Sequence, residues 1–591
     1  MSGDLWSFLY GAYDTAGFAG LDKIPGALWP QAAAVALAGF SAWSILVPQA
    51  LASALTVWLV YLAGAHWLGR PAGLAAAVGY ALTPLVAALA HTNVPEPWLA
   101  LWLVLAAYLA LRAVTAPRRG MWWLAAAGMA IGAGFTVKMA EAWVLVPAIL
   151  LPYLVAARPS LTRRLLHAVM AAGATLLASL WWVVLVWATP AASRPWVGGS
   201  DTDSPWEMVF GYNGLGRFGL FSGRSFVADF AGPAGWGRLL GDQVSVDVMW
   251  LVPLAVAGLS VGLAITARRP RTDPERAGYL LFGLWLVPSV IVLAFAEGIH
   301  TFYVLLFAAP AVVLAAAAAR QGMRWLAAGR WWPLALGLVG QGAWTLLLVA
   351  RVDGPAWVRV GVVAATLGGV LAAWRGRHGI VVTLAAVAVL LAPAVWTWQG
   401  LGPVDTINPS ASATSGARPG APDIAGRPDP SAGGTRPDRP ADRSGPGQPP
   451  AGPGARGPGS APGTTVADDQ LLTWLTERGV GATTDLATDS RTASMLILGG
   501  LDGVLAMGGG FDGSDPTPTA ADLQALVAQG RVQYVLLGQE GDRGPARPDG
   551  GGSTAGSSVA QARTDWITST CSVVADAPTA SGVLYDCASA L

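Results

Sequence analysis

Apolar runs of about 17–25 residues follow one another from Ser41 to Trp398, each closed by a short polar stretch. A helix of that length crosses the hydrocarbon core of a bilayer. The pattern predicts about twelve spans, near Trp43–His66, Pro71–Ala90, Pro95–Val114, Met121–Val137, Ala142–Ala157, Leu165–Ala188, Met249–Ala267, Ala277–Ala296, His300–Ala319, Trp331–Ala350, Trp357–Trp374 and Gly379–Trp398. Arginines fall in every second loop: Arg70; Arg112, Arg118 and Arg119; Arg158, Arg163 and Arg164; Arg268, Arg269 and Arg271; Arg320, Arg324 and Arg330; Arg375 and Arg377. Such loops lie on the cytoplasmic side. The alternate loops, "HTNVPEP", "KMAEA", Pro190–Val248, "EGIH" and "RVDGPAW", are then outside, and only the last breaks the rule, with Arg351 and Arg359.

By the same parity the stretch "AGLDKIPGALW", Ala19 to Trp29, lies outside, and the N-terminus with it. A further helix upstream of Met1, giving about thirteen spans, is the expectation that reconciles this with insertion. After Trp398 the pattern stops. Residues 401–466 are Pro-, Gly-, Ser- and Arg-rich with almost no large apolar residue, the composition of a disordered linker. Residues 467–591 regain periodicity. "QLLTWLTERG" reads as a helix ending at Gly479, and "TAADLQALVAQG" as a helix capped by Thr519. "SMLILGG", "QYVLLG" and "GVLYDC" read as strands, with a Gly/Ser-rich insert over about Gly541–Ser558. The expected fold is a polytopic all-α membrane domain, residues 1–400 with a long outer loop at 190–248, joined to a small extracytoplasmic α/β domain.

Composition sharpens this. Charged residues make up 12% of the chain and hydrophobic ones 54%, against about 25% charged in soluble domains. The net charge of +1 says nothing about nucleic acid, but no basic cluster is interleaved with aromatics, so no nucleic-acid partner is expected. The two cysteines, Cys571 and Cys587, are too few for a zinc site. In an exported domain they suit a disulfide; two unpaired thiols is the alternative. No Walker loop, G-x-S-x-G, His-Glu-x-x-His or dinucleotide fingerprint is present, so ATP-driven transport has no engine in this chain. No cofactor is expected, and no obligatory metal, since lysine and arginine can do the phosphate work.

The outer loops gather a mixed set of ionisable and polar residues: Asp14, Asp22, Lys23, His91, Asn93, Glu96, Lys138, Glu141, Arg194, Asp201, Asp203, Asn213, Arg217, Glu297 and His300. Charges at the membrane edge are expensive and each carries a functional hypothesis. Cations hold a phosphate by charge-assisted hydrogen bonds, and a carboxylate deprotonates a hydroxyl, so the set suits a phosphorylated lipid with a polar headgroup. Interfacial anchors and plain loop charges are the alternative. The loop Arg194–Gly219, rich in Gly, Trp, Tyr, Asn and Arg, suits a sugar. Its "DTD" looks like the metal-binding Asp-X-Asp of nucleotide-sugar enzymes, but those substrates are cytoplasmic.

The segments "DTAGFAGLDKIPGALWPQA", "PQAL", "HTNVPEP", "VKMAEAW", "RPWVGGSDTDS", "FGYNGLGR", "HTFYVLLFAAP", "GGFDGSDPTPTAADLQALVAQGRVQYVLLG" and "LYDC" resemble the bacterial mannosyltransferases of the YkcA/YkcB type over nearly the whole chain outside the linker. The resemblance implies a GT-C glycosyltransferase, in the broad group of protein O-mannosyltransferases and the lipid A aminoarabinose transferase. Such enzymes move a sugar from a polyprenyl-phosphate donor to an acceptor at the outer membrane face. In the lipid A enzyme a Glu-Lys-Pro lysine meets the donor phosphate. "DKIP" matches that place, which makes Lys23 the donor-phosphate residue and Asp22 its neighbour, although Ile24 replaces the family's first Pro. Glu96 in "TNVPEP" stands for the acid of the relatives' "TNNPD". In the wider group the first outer loop, which begins upstream of "DTAGF", carries the acidic catalytic base. The sequence as written does not include it, and the alternatives are a mis-set start, a catalytically impaired chain or another carboxylate in its place.

The implied reaction is a single displacement with inversion. Lys23, helped by Lys138 or Arg194, would stabilise the leaving phosphate. Asp14, Asp22 or a residue upstream of Met1 would take the proton. His300 and Tyr303 would line the donor groove, and His91, Asn93, Glu96, Glu141, Asn213 and Arg217 would bind headgroup or acceptor. The donor sugar is mannose or a pentose such as arabinose, and the acceptor a cell-envelope glycan, lipid or protein. The C-terminal domain reads as an acceptor-binding module on a tether, with Asp512 and Asp515 as turn caps. A non-catalytic scaffold and a lipid-linked-sugar transporter are the rival classes, and the latter lacks the expected internal repeat.

Overall fold

The computed structural model describes residues 5–402 except 117, 219–229, 243 and 353, then 404, 409–410, 466–538 except 483, 510–512 and 514, then 554–579 and 582–588. The expected linker at 411–465, most of the Gly/Ser-rich insert at 541–558 and Asp512 lie outside the described residues.

Among the described residues, ten helical runs are long and apolar enough to cross a membrane. One of them, Gly120–Ala156, is a hairpin. The helix Gly120–Lys138 ends where Met139 adopts φ 49°, and the chain returns as Met139–Leu145 and Val146–Ala156, bringing Tyr153 back beside Gly120. The predicted span Pro71–Ala90 is split into Arg70–Ala81 and Pro84–Leu89, because Pro84 removes a donor and cannot continue the first segment. Counting the hairpin as two and the split helix as one restores twelve crossings. Two apolar helices outside the predicted set, Leu5–Tyr10 and Trp29–Ala38, are too short to span.

Helices with lipid on one side and protein on the other pack through small residues. Gly128 and Gly132 of Gly120–Lys138 show this: a Cβ on either would overlap Ala171 or Ala178 of the helix Leu161–Ala188. Large apolar side chains such as Leu177 and Leu336, 78% and 67% exposed, point away from the bundle.

The loops sort to two ends. At one end Glu275 meets Arg269, Arg320 and Arg324, the Trp67 indole donates to the Glu275 carbonyl, and Arg271 donates to Ala157. These are the arginine-rich loops. At the other end lie residues 10–28, 91–96, 138–141, 190–218 and 297–303.

The C-terminal domain is one five-stranded sheet of β1 (Asp485–Asp489), β2 (Val504–Met507), β3 (Val532–Leu537), β4 (Ser572–Val573) and β5 (Val583–Asp586), in order β2-β1-β3-β5-β4. β1 is parallel to β2 and β3, and β5 is antiparallel to β3 and β4. "SMLILGG", expected as a strand, belongs instead to the helix Ser490–Leu498. The Asp489 side chain caps that helix at the N–H groups of Arg491 and Thr492, and a capped start outweighs the short apolar run. Cys571 and Cys587 are joined as a disulfide across one face of the sheet.

Candidate active site

At the end of the bundle away from the arginine-rich loops, the fold brings three charged groups together under one aromatic ring. Lys138 Nζ lies 2.6 Å from Glu96 and 2.8 Å from Glu141, and 3.2 Å from the centroid of the Tyr303 ring. Glu96 opens the helix Glu96–Thr115, Lys138 closes Gly120–Lys138, and Tyr303 stands in the turn that starts Thr301–Phe307. The three side chains of the ion cluster are 10%, 2% and 16% exposed for Lys138, Glu96 and Glu141. Backbone strain at Met139 marks the same point, since a positive φ outside glycine persists only where the surroundings impose it. Glu96 Oε2 and Glu141 Oε1 are buried without a hydrogen-bond partner among the described residues. Behind Glu96 a cavity of about 10 Å³, lined by Leu99, Leu103, Trp285 and Leu305, is the size of one water.

Lys23 sits beside this cluster. Gly26, three residues on, packs directly on the Thr136 backbone near the end of the Lys138 helix. The Lys23 ammonium is 3.4 Å from the Asp22 carboxylate, and its side chain is 44% exposed. That carboxylate pushes its pKa up, with Tyr303 and Glu96 also within electrostatic reach. Lys23 is therefore the accessible cation of the set, whereas Lys138 is already shared by two acids. Asn213 donates to the Asp22 carbonyl at 2.7 Å, Arg217 donates to the Gly298 carbonyl and lies within reach of Glu141, and His300 stacks on Phe302 at 4.8 Å.

Other expected site residues serve the scaffold. Arg194, expected at the donor phosphate, makes an ion pair with Asp203 at 2.7 Å and donates to the carbonyls of Thr189, Pro195 and Asp203. The "DTD" loop is thus folded by Arg194 and by Glu207, which accepts from Ser200 and Thr202. His91 is held between the carbonyls of Ala87 and Gly402, and Asn93 accepts from Gln31 at 2.7 Å.

Asp14, expected as a base, has both oxygens occupied: one accepts from Phe18 and Ala19 N–H, the other from Ala506 N–H of the C-terminal domain. Burial still pushes its carboxyl up to about 6. The C-terminal domain is accordingly seated on the loops at this end of the bundle rather than hanging free. Asp515, expected as a turn cap, accepts the Gly199 N–H with both oxygens, at 3.1 and 3.0 Å. No sequence signal pairs residues so far apart in the chain.

Residues 22–182 match the family model of dolichyl-phosphate-mannose-protein mannosyltransferases, and residues 471–570 that of the "Putative mannosyltransferase YkcB-like, C-terminal" domain. Two proteins of Bacillus subtilis (strain 168), "Putative mannosyltransferase YkcB" and "Putative mannosyltransferase YycA", are each 26% identical over 91% of this chain, covering 84% and 86% of their own lengths. Among solved structures, ArnT from Cupriavidus metallidurans bound to undecaprenyl phosphate aligns with a TM-score of 0.49 at 15% identity, over 96% of this chain and 88% of that one. The Archaeoglobus fulgidus oligosaccharyltransferase tethered with an acceptor peptide aligns with a TM-score of 0.43 at 14% identity, over 90% of this chain and 62% of that one. The chain is thus similar at both ends to mannosyltransferase models and along nine tenths of its length to two relatives of the YkcB type, and its apolar helices are those of a multi-pass membrane protein.

Proposed function

We propose that the chain transfers a sugar, mannose or a pentose such as arabinose, from a polyprenyl-phosphate donor to a cell-envelope acceptor outside the cytoplasm. The observation that carries this reading is the convergence of an accessible lysine, Lys23, with the buried Lys138–Glu96–Glu141 cluster and Tyr303 at one end of the bundle. The acceptor oxygen bonds to the anomeric carbon as the carbon–oxygen bond to phosphate breaks. The bonding pair leaves with the polyprenyl phosphate, where Lys23 meets the growing charge. The proton passes to a carboxylate of the set Asp22, Glu96 and Glu141. Lys138 fixes Glu96 and Glu141, and His300 and Tyr303 wall the groove. Residues 1–400 are the catalytic domain, 401–466 the linker and 467–591 an extracytoplasmic domain. Two features support the outward assignment: the arginine-rich loops occupy the opposite end, and the Cys571–Cys587 disulfide suits an oxidising compartment.

The test is sugar transfer in membranes carrying the protein, with radiolabelled polyprenyl-phosphate mannose and polyprenyl-phosphate arabinose supplied separately. Wild type should transfer label from one of them. Lys23→Ala should lose about 10²–10³-fold in rate with the protein still folded, the effect of removing one preorganised charge-stabilising group. Folded wild type that transfers from neither donor would overturn the reading.

A further inference from the structure

The C-terminal domain grips the membrane half at two places, and both lead to the same turn. The first grip is the open edge of β2. An edge strand presents unpaired N–H and carbonyl groups that must find partners. Here Val504 N–H donates to Thr15 Oγ1 at 2.8 Å, the Val504 carbonyl accepts from Ala16 N–H at 3.2 Å, and Ala506 N–H donates to Asp14 Oδ2 at 3.1 Å. Phe18 and Ala16 pack on one apolar cluster of the domain, and Tyr13 and Ala19 on the other. The loop then passes straight to Gly20, whose N–H donates to the Trp196 carbonyl, and to Leu21, bonded to Gly11.

The second grip is Asp515 on the Gly199 N–H. Gly198 and Gly199 lie directly against the Asp22 turn. A Cβ on Gly198 would fall 2.5 Å from the Gly20 carbonyl oxygen and 2.9 Å from the Asp22 nitrogen, so the two backbones touch with no side chain between them. A movement of Gly199 is passed to Asp22 without slack. Asn213 closes the turn from the far side through the Asp22 carbonyl.

We propose that the C-terminal domain is a positioning element for the donor lysine: by holding Asp14–Ala16 and Gly199, it fixes the Asp22–Lys23 turn against the Lys138 cluster. The proposal rests on the reading of Lys23 as the donor-phosphate residue. It makes Asp14 and Asp515 positioning residues, and it places the control of donor affinity in a domain far along the chain.

The experiment uses full-length protein in nanodiscs, ³²P-labelled undecaprenyl phosphate as the probe, and hydrogen exchange of residues 20–23. Asp515→Ala removes the second grip. Asp14→Asn addresses the first and spares the loop, because its remaining oxygen still accepts from Phe18 and Ala19 while its amide NH₂ meets the Ala506 N–H donor to donor. In either variant, exchange at 20–23 should rise about fivefold or more with the membrane helices unchanged. Probe affinity should fall about tenfold, as a loosely held binding group does. KM for the acceptor should stay put, which a general loss of structure would not allow. Unchanged exchange at 20–23 overturns the proposal. So does faster exchange with unchanged probe binding in a protein whose Lys23→Ala variant loses the probe. Wild type that fails to bind the probe refutes the donor reading instead, and the exchange result still decides whether the domain holds the turn.

Discussion

Two ion clusters sit at opposite ends of the bundle and are built in opposite ways. At the arginine-rich end, one carboxylate serves three cations: Glu275 lies 2.7 Å from Arg269, 2.5 Å from Arg320 and 3.1 Å from Arg324. Both its oxygens are engaged and Glu275 is itself only 15% exposed, but the arginines are 27–46% exposed, so water shares the charge on the cation side. At the other end one cation serves two carboxylates, no member is more than 16% exposed, and two carboxylate oxygens lack a hydrogen-bond partner. The wet, cation-rich cluster costs little and anchors loops at a membrane surface. The dry, acid-rich cluster opposes stability, because desolvating charges in that number is repaid only in part by their attraction. Such an arrangement is kept where the charges do chemistry.

The largest effect that sharpens this contrast belongs to Lys138→Met. It strands Glu96 and Glu141 as buried charges, and the loss of folding stability should be about 3–5 kcal/mol, read from thermal unfolding in nanodiscs. Replacing all three members by apolar residues of similar size should recover most of that stability and none of the sugar transfer. Recovery of transfer as well would show the cluster to be scaffold. Glu275→Gln at the other end should cost about 1 kcal/mol or less, and less still in high salt. A loss equal to that of Lys138→Met would erase the distinction between the two clusters.

A different kind of effect is a pH trend at the seam between the domains. Burial holds the Asp14 carboxyl up at about 6 when docked, against about 3.9 when free. The docked form therefore binds a proton more tightly than the undocked one. The contribution is present in full below about pH 4 and is lost as pH rises through about 6. Docking, followed by exchange at the β2 edge, should be about tenfold tighter at pH 5 than at pH 7.5, and the trend should vanish in Asp14→Ala. The reverse trend would mean that the three N–H donors to Asp14, which favour its ionised form, outweigh burial.

The bundle was legible because bilayer thickness writes itself into the length of apolar runs. Ends such as Ala42, Ala188 and Trp374 fall within a residue or two of the hydropathy pattern. The break at Pro84 was visible as a proline, but only packing turns a proline into a break rather than a kink. Which loops share an end of the bundle was legible from arginine parity. Which residue each charge meets was not, because the partners of His91 and Arg194 include backbone carbonyls, and every residue has one of those. Lys138, Glu141 and Glu96 could be grouped as outer-face charges, yet their meeting under Tyr303 depends on a turn at Met139 that no propensity announces. The seam between domains was invisible for a simpler reason: Asp14 and Ala506 are 492 positions apart, and neither carries a sequence signal for the other.

The covered edge of β2 also bears on how the molecule is made. During synthesis the capping loop emerges first, and its partner strand follows 489 residues later. Between the two, the intervening membrane crossings must be laid down with the right parity, or loop and strand end on opposite sides of the bilayer. A correctly threaded chain closes its own sheet. A mis-threaded one exposes a bare strand edge, the feature that aggregation exploits. The seam can form only when loop and strand have reached the same compartment.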